Sequence, residues 1–291
     1  MLEFRPIELK DKQWIDELLS ISDYRGCEYN FTNNYVWRNI FDISICRFMD
    51  YYIVKSSKGF FYPAGKGDIH LLIKELNDYS QKEGKPLRFV TMDKSAKALL
   101  EKEFPDKFVF NTDEAFYDYV YSAESLATLS GKKLHSKRNY INRFKQLDWS
   151  YERITEENIG ECKEMSTLWC QLNDCHMSDE KTEEMCSVEN GLDNFKALQL
   201  EGLILKVNGK IQAFSYGERL NSDTFVTHVE KALTEFDGTY PMINYLMANE
   251  FCKELKYINR EEDMGEENLR KAKRSYRPCF MIEKFSAEYT G

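Results

Sequence analysis

The chain has 291 residues, 42% hydrophobic and 31% charged, with 40 Lys and Arg against 49 Asp and Glu for a formal charge of −9. That composition belongs to a globular protein of one large or two ordinary domains and excludes a chain dominated by disorder. No apolar run approaches the ~20 residues that span a bilayer, and the charged N-terminus lacks a signal-peptide centre, so a cytoplasmic protein is expected.

In chain order, "EFRPIEL" reads as a strand, and Asp11 caps the amphipathic helix "KQWIDELLS". The aromatic stretch 24–42 is partly helical, and "ISICRFMDYYIVKSSKGFFYPAG" gives three short strands. The helix "IHLLIKELNDYSQK" sets residues 69, 72, 73 and 76 on one face. It is followed by the strand "PLRFVTM", the helix "SAKALLEKEF" and the strands "KFVFN" and "AFYDYVYS".

From about residue 148 the same order returns. "WSYERI" is a strand, Thr155 caps a helix ending in "KEMSTLWCQL", and a second helix covers "GLDNFKALQ". The strand "GLILKV" turns at Asn208-Gly209, a hairpin signal, into "KIQAFSYGERL". Then come the strand "TFVTHVE", the helix "MINYLMANEFCKEL", the strand "KYINRE", the helix "EENLRKAKRSY" and the strand "CFMIEKFSAEY". The duplication is one of pattern, with little residue identity between halves.

Between the halves lies "KKLHSKRNYINRFK", Lys132 to Lys145, with six basic residues and no acid; without it the rest of the chain falls from −9 to −15. Leu134, Ile141 and Phe144 share one side of the helix it would form, which reads as an amphipathic connector docked on both halves. A second acid-free cluster, Arg270, Lys271, Lys273, Arg274 and Arg277, leaves −20 on the remainder. Two such helices on an acidic background suit a phosphate-bearing ligand; pairing with acidic helices is the bland alternative. Lys137, Arg138, Asn139 and Arg143 are the connector's candidate phosphate ligands, with His228 as a further one.

Of eight cysteines, four lie between residues 162 and 186 beside His176. Only Cys170-x4-Cys175 approaches ligand spacing, so free thiols and no metal are expected.

The turn "VEKALTEFDGTYPMINYLM" precedes a helix, whose N-terminal N–H groups and positive dipole end can hold a phosphate. Gly238, Thr239 and Tyr240 are the residues placed there, although Glu235 would repel an anion. Glu230 and Glu262, at strand ends, are candidate proton acceptors, and alternation puts His228 on the face of Glu230. Tyr276 is a candidate proton donor to a leaving group.

A mixed sheet ending in this strand–turn–helix resembles the GNAT acyltransferase fold, twice in tandem. In that family the turn reads Gln/Arg-x-x-Gly-x-Gly/Ala; here the positions are Glu235, Gly238 and Tyr240. The next helix commonly shows Asn-x-x-Ala-x-x-x-Tyr, matched with one extra residue by Asn268, Ala272 and Tyr276. The resemblance implies coenzyme A held by Gly238, Thr239, Tyr240, Asn268, Arg270 and Arg274, with Tyr276 protonating its thiolate.

Taken together, "LSGKKLHSKRNYINRF", "THVEKAL…DGTYPMIN" and "EEDMGEENLRKAKRSYRP" resemble a bacterial family similar to the C-terminal domain of phosphatidylglycerol lysyltransferases. The resemblance spans nearly the whole chain. It implies an α+β fold of two tandem GNAT-like domains, each a mixed sheet flanked by helices, as in Fem-type aminoacyltransferases. The expected domains are 1–130 and 148–291, joined by the connector 131–147. Three readings follow. The leading one is transfer of an acyl group from a coenzyme A thioester to an amine or hydroxyl. The second takes an aminoacyl group from tRNA, with a small-molecule or lipid-like acceptor. The third is a tandem scaffold that binds a ligand without turnover.

Overall fold

A computed structural model describes residues 2–291, apart from the side chains of His176 and Glu180. In chain order its elements are β1 (Arg5–Pro6), α1 (Lys12–Ser22), α2 (Phe31–Val36), β2 (Ser44–Phe48), β3 (Tyr51–Ser56), β4 (Gly59–Phe61), β5 (Ala64–Gly65), α3 (Ile69–Lys82), β6 (Arg88–Met92), α4 (Lys94–Glu103), β7 (Phe108–Thr112), β8 (Asp118–Ser122), α5 (Ala123–Thr128) and α6 (His135–Phe144). They continue with β9 (Trp149–Arg153), α7 (Ile159–Leu172), α8 (Asp179–Asp193), α9 (Phe195–Leu198), β10 (Glu201–Val207), β11 (Lys210–Arg219), β12 (Thr224–Ala232), α10 (Thr239–Phe251), β13 (Tyr257–Asn259), α11 (Glu267–Ser275), β14 (Phe280–Ile282) and β15 (Phe285–Tyr289).

Two compact units result, and neither is continuous in sequence. The first comprises residues 1–118, 262–267 and 281–291; the second comprises 119–261 and 268–280. These bounds differ from the expected 1–130, 131–147 and 148–291 because two strands leave their own half. β15 is hydrogen-bonded between β6 and β7, inside the first sheet, and β8 lies between β14 and β13 in the second. The tail "CFMIEKFSAEY" is therefore two strands in two sheets. The connector helix α6 belongs wholly to the second unit.

In the first unit, eight strands run β1-β2-β3-β4-β6-β15-β7, with β5 on β3, and β4 and β6 are parallel. Asp68 caps α3 by accepting from the His70 and Leu71 N–H groups, and Asp93 caps α4 through Ala96 N–H. The apolar faces of these helices supply Leu72, Ile73, Leu76, Ala96 and Leu100, which pack on Ile53, Phe60, Phe89 and Ala287. Burial of that surface holds the layers together.

In the second unit the order is β14-β8-β13-β12-β11-β10-β9. The hairpin expected at Asn208-Gly209 joins β10 to β11. Leu134, Ile141 and Phe144 are all buried, as the connector's amphipathic pattern predicts. The helix start expected at Thr155 falls at Ile159, after Asn158. Cys170 and Cys175 form a disulfide, against the expectation of free thiols. The His176 side chain, which the sequence sets beside these cysteines, lies outside the described residues. No helix among the described residues is long and apolar enough to cross a membrane.

Candidate active site

β12 carries the site because it loses its partner on one side. Its parallel ladder to β13 covers only Thr224–Val226, yet β12 runs on to Ala232. A gap therefore opens beside β12 from Thr227 onward. On its other edge β12 stays paired with β11 through a bulge: Gly217 opposes Thr227 and Tyr216 opposes Val229, leaving His228 as the extra residue. A Cβ on Gly217 would strike the Val226 carbonyl, so this crossing requires glycine.

The bulge also resets the alternation. Cross-strand partners share a face, so Glu230 points with Ser215 and Gly217, whereas His228 points with Glu218. Glu230 and His228 thus lie on opposite faces, contrary to plain alternation.

At the end of β13 the chain turns tightly. Asn259 Oδ1 accepts from the Glu261 N–H at 2.7 Å, and Glu261 adopts φ 55°. That turn sends the two successive side chains apart. Glu261 Oε1 lies 2.9 Å from His228 Nδ1, and Glu218 Oε1 lies 3.0 Å from Nε2. Burial lowers the imidazole's pKa, but both carboxylates outweigh it and raise it to about 9. His228 is an imidazolium with both N–H groups engaged. The phosphate-binding role expected of it has no donor left to perform it.

Arg260 goes the other way. Its Nη2 donates to Glu230 Oε1 at 2.8 Å, and Asn244 of α10 donates Nδ2 to Glu230 Oε2 at 3.1 Å. Each oxygen of Glu230 therefore accepts one of these hydrogen bonds. Arg260 Nη1 and Asn244 Oδ1 are buried and find no hydrogen-bond partner among the described residues. The site thus presents one spare donor and one spare acceptor on either side of one carboxylate. Lys273 of α11 fixes the turn from below, donating to the Arg260 and Glu261 carbonyls at 2.6 and 3.1 Å.

Tyr276, just past α11, is 5% exposed and stands between two cations. The Arg260 guanidinium lies 4.9 Å from its ring centre and the Lys137 ammonium 4.0 Å, while Tyr121 meets it edge to face at 6.5 Å. Burial keeps Tyr276 a neutral phenol by raising its pKa, partly offset by Arg260. Lys137 is half-buried, and burial together with Arg260 lowers its pKa. The two basic helices α6 and α11 meet at this phenol.

The remaining predicted residues separate. Gly238, with φ 94°, begins α10, and a Cβ there would lie 2.9 Å from the Tyr140 carbonyl of α6. Thr239 is 2% exposed, and its hydroxyl donates to Phe236 O at 2.7 Å. Tyr240 takes a hydrogen bond from Trp169 Nε1 at 3.2 Å. Arg143 is exposed, 3.7 Å from Asp237. Arg138 turns back onto the carbonyls of Leu129 and Gly131, closing the loop before α6. Asn139, Asn268 and Arg274 are exposed, and Arg270 is half-buried. Arg260, Asn244 and Tyr121 were not among the residues singled out. The signal for Arg260 was its place directly before the acids of "NREED".

Glu262 belongs to a separate cluster in the first unit. There Lys284 Nζ lies 2.6 Å from Asp118, 2.6 Å from Glu28, 3.4 Å from Cys27 Sγ and 3.5 Å from Glu262. Cys27, Asp118 and Glu262 have the ligand types and spacing of a metal site. The buried ammonium stands among them and supplies the positive charge a metal would bring. Burial pushes Glu28 up to about 8, with Lys284 opposing, and raises the Cys27 thiol well above its ordinary range.

The family pattern described as "Phosphatidylglycerol lysyltransferase, C-terminal" matches residues 19–288. The chain belongs to this family. A conserved protein of unknown function from Bacteroides thetaiotaomicron shares 40% identity over the full length of both chains at a TM-score of 0.96. L-PGS from Bacillus licheniformis superposes at 0.66 with 14% identity, over 98% of this chain and 92% of that one. FemX does so at 0.66 with 8% identity, over 99% and 97%. At those identities the last two share the fold, which is the tandem GNAT-like, Fem-like architecture expected. An uncharacterized protein of Mycoplasmoides gallisepticum is 26% identical over 189 residues, 59% of this chain and only 56% of that protein. The description of the family is that of a lysyltransferase domain.

Proposed function

We propose that the protein transfers an aminoacyl group from aminoacyl-tRNA to an amine or hydroxyl acceptor, with the chemistry in the second unit. The observation that carries the reading is the spare donor and acceptor flanking Glu230. An α-amino ester offers a carbonyl oxygen for Arg260 Nη1 and an α-ammonium for Asn244 Oδ1. A plain acetyl group would leave the Asn244 oxygen buried and unsatisfied, which costs about 1–3 kcal/mol.

The turn before α10 supports the same choice. Its glycine abuts a carbonyl of α6, Thr239 is buried, and the carboxylates of Glu235 and Asp237 are exposed beside it. A diphosphate there would face these two carboxylates. The exposed cations Lys132, Lys133, Arg143, Lys145, Lys271, Arg274 and Arg277 lie instead on or beside α6 and α11, where a nucleic-acid backbone could run. The family's description favours a lysyl group as the first to try, and a lipid-like hydroxyl among the acceptors.

In the transfer, the ester carbonyl lies along the unpaired edge of β12, where backbone N–H groups polarise it. The acceptor attacks, and the Tyr276 phenol gives its proton to the departing ribose oxygen. A coenzyme A thioester held by Gly238, Thr239, Tyr240, Asn268, Arg270 and Arg274 is the rival proposal.

Incubating the protein with lysyl-tRNA and a panel of amine and lipid acceptors tests the reading. Acceptor-dependent loss of charged tRNA with a new aminoacyl product supports it. A thermal shift with coenzyme A and thiol release from acetyl-CoA would install the rival instead. Absence of both reactions would leave a ligand-binding scaffold.

A further inference from the structure

We propose that the ε-amine of Lys137 is the proton acceptor of the transfer step, a role that rests on the aminoacyl reading above. Both oxygens of Glu230 are held by Arg260 and Asn244. Both nitrogens of His228 are held by Glu218 and Glu261, on the opposite face of β12. Glu262 is folded into the first unit's lysine cluster. Among the described groups around Tyr276, Lys137 is the base that remains.

Its surroundings suit the task. The groups facing it are Arg260 after β13, Glu230 on β12 and Tyr276 after α11. Two cations thus lean on one phenol ring with one carboxylate nearby, and Glu230 is committed to Arg260. Burial chiefly favours the neutral amine of Lys137, and loss of its proton also relieves the repulsion from Arg260, with Glu230 opposing. The downward shift eases access to the neutral amine, which is the form that accepts a proton.

The proton count closes. The acceptor's lone pair forms a bond to the ester carbonyl carbon, and the carbon–oxygen bond to the ribose breaks with its electron pair on oxygen. Lys137 takes the proton released by the acceptor, and Tyr276 gives its proton to the ribose oxygen. Passage of the proton from Lys137 to the phenolate restores both groups. The products are an aminoacyl amide or ester and uncharged tRNA.

Two measurements on the full-length protein test this. Competitive labelling of amines with acetic anhydride across a pH series, read by peptide mass spectrometry, gives a midpoint for each lysine. Lys137 is expected to titrate below the exposed Lys133, and Arg260→Gln is expected to move its midpoint upward. A midpoint equal to that of Lys133 overturns the proposal whether or not any transfer is seen. The second uses lysyl-tRNA and the acceptor found above. Lys137→Arg keeps the positive charge and should lower turnover about 100-fold with charged-tRNA binding unchanged. Lys137→Ala should be partly rescued by added methylamine, which a merely structural lysine would not permit. Full turnover by Lys137→Arg overturns the role. If the wild-type protein transfers nothing, the aminoacyl reading fails and the role falls with it, even where labelling shows the low midpoint.

Discussion

The ammonium of Lys137 lies 4.0 Å above the ring of Tyr276, so the connector helix and the last helix of the second unit converge on one phenol. Remote basic clusters in the sequence become neighbours there. Tyr276→Phe keeps the ring and both cation contacts but removes the transferable proton. Turnover should fall by about 100-fold while the melting curve and charged-tRNA binding stay unchanged. Unaltered turnover would remove Tyr276 from the chemistry.

Arg260 and Glu230 form a buried pair, each side chain 11% exposed. Glu230→Ala strands the guanidinium without its carboxylate and should destabilise the second unit by about 3–5 kcal/mol in a urea titration. A loss below ~1 kcal/mol would mean that the pair is screened by water.

Asn244→Leu removes the acceptor proposed to meet the α-ammonium. Discrimination between lysyl-tRNA and an ε-matched analogue lacking the α-amino group should shrink by roughly 10–100-fold, as expected for one lost hydrogen bond to a charged group. Equal discrimination in the variant would show that the amino group is read elsewhere.

His228 sets a pH limit. Its folded-state pKa is about 9, above the ordinary 6.5, so the folded state holds the proton more tightly. The resulting stability is fully present below about 6.5 and is lost as pH rises through about 9. His228→Gln should flatten the fall in stability over that window. Imidazole resonances already shifting at neutral pH would contradict the assignment.

Glu28 gives a lower window in the first unit. Its pKa is raised from 4.5 to about 8, so its contribution is complete below the first value and fades as pH rises through the second. Glu28→Gln should remove that dependence. Cys27, 2% exposed and with its thiol held protonated, should resist alkylation until the protein unfolds.

The helices and most strands were legible because their apolar periodicity is strong: Leu72, Ile73 and Leu76, or Leu134, Ile141 and Phe144, mark buried faces directly. The exchange of β8 and β15 was not, since a strand's own sequence does not name its neighbour in the sheet. The single residue inserted at His228 is equally silent in a reading by alternation, yet it decides which face Glu230 occupies. Tyr276, Glu230 and Lys137 were singled out as candidates in the sequence. Arg260 and Asn244 were not, because their importance lies in atoms left without partners, which is a property of packing. Helix α8 was legible only at its ends, as an acidic helix over "SDEKTEEM" and as the start of "GLDNFKALQ", because its acid-rich surface hides the apolar spacing of Val188 and Leu192.

The central claim is that the cations of α6 and α11 act together on a nucleic-acid donor, and salt dependence tests it most directly. The affinity for lysyl-tRNA should fall linearly in log–log form with added salt, each phosphate contact contributing a slope of about 0.7–0.9. Arg274→Glu and Arg143→Glu, on separate helices, should each lower that slope by about one contact, and together by about two. A slope near zero, or one that neither substitution changes, would contradict the account.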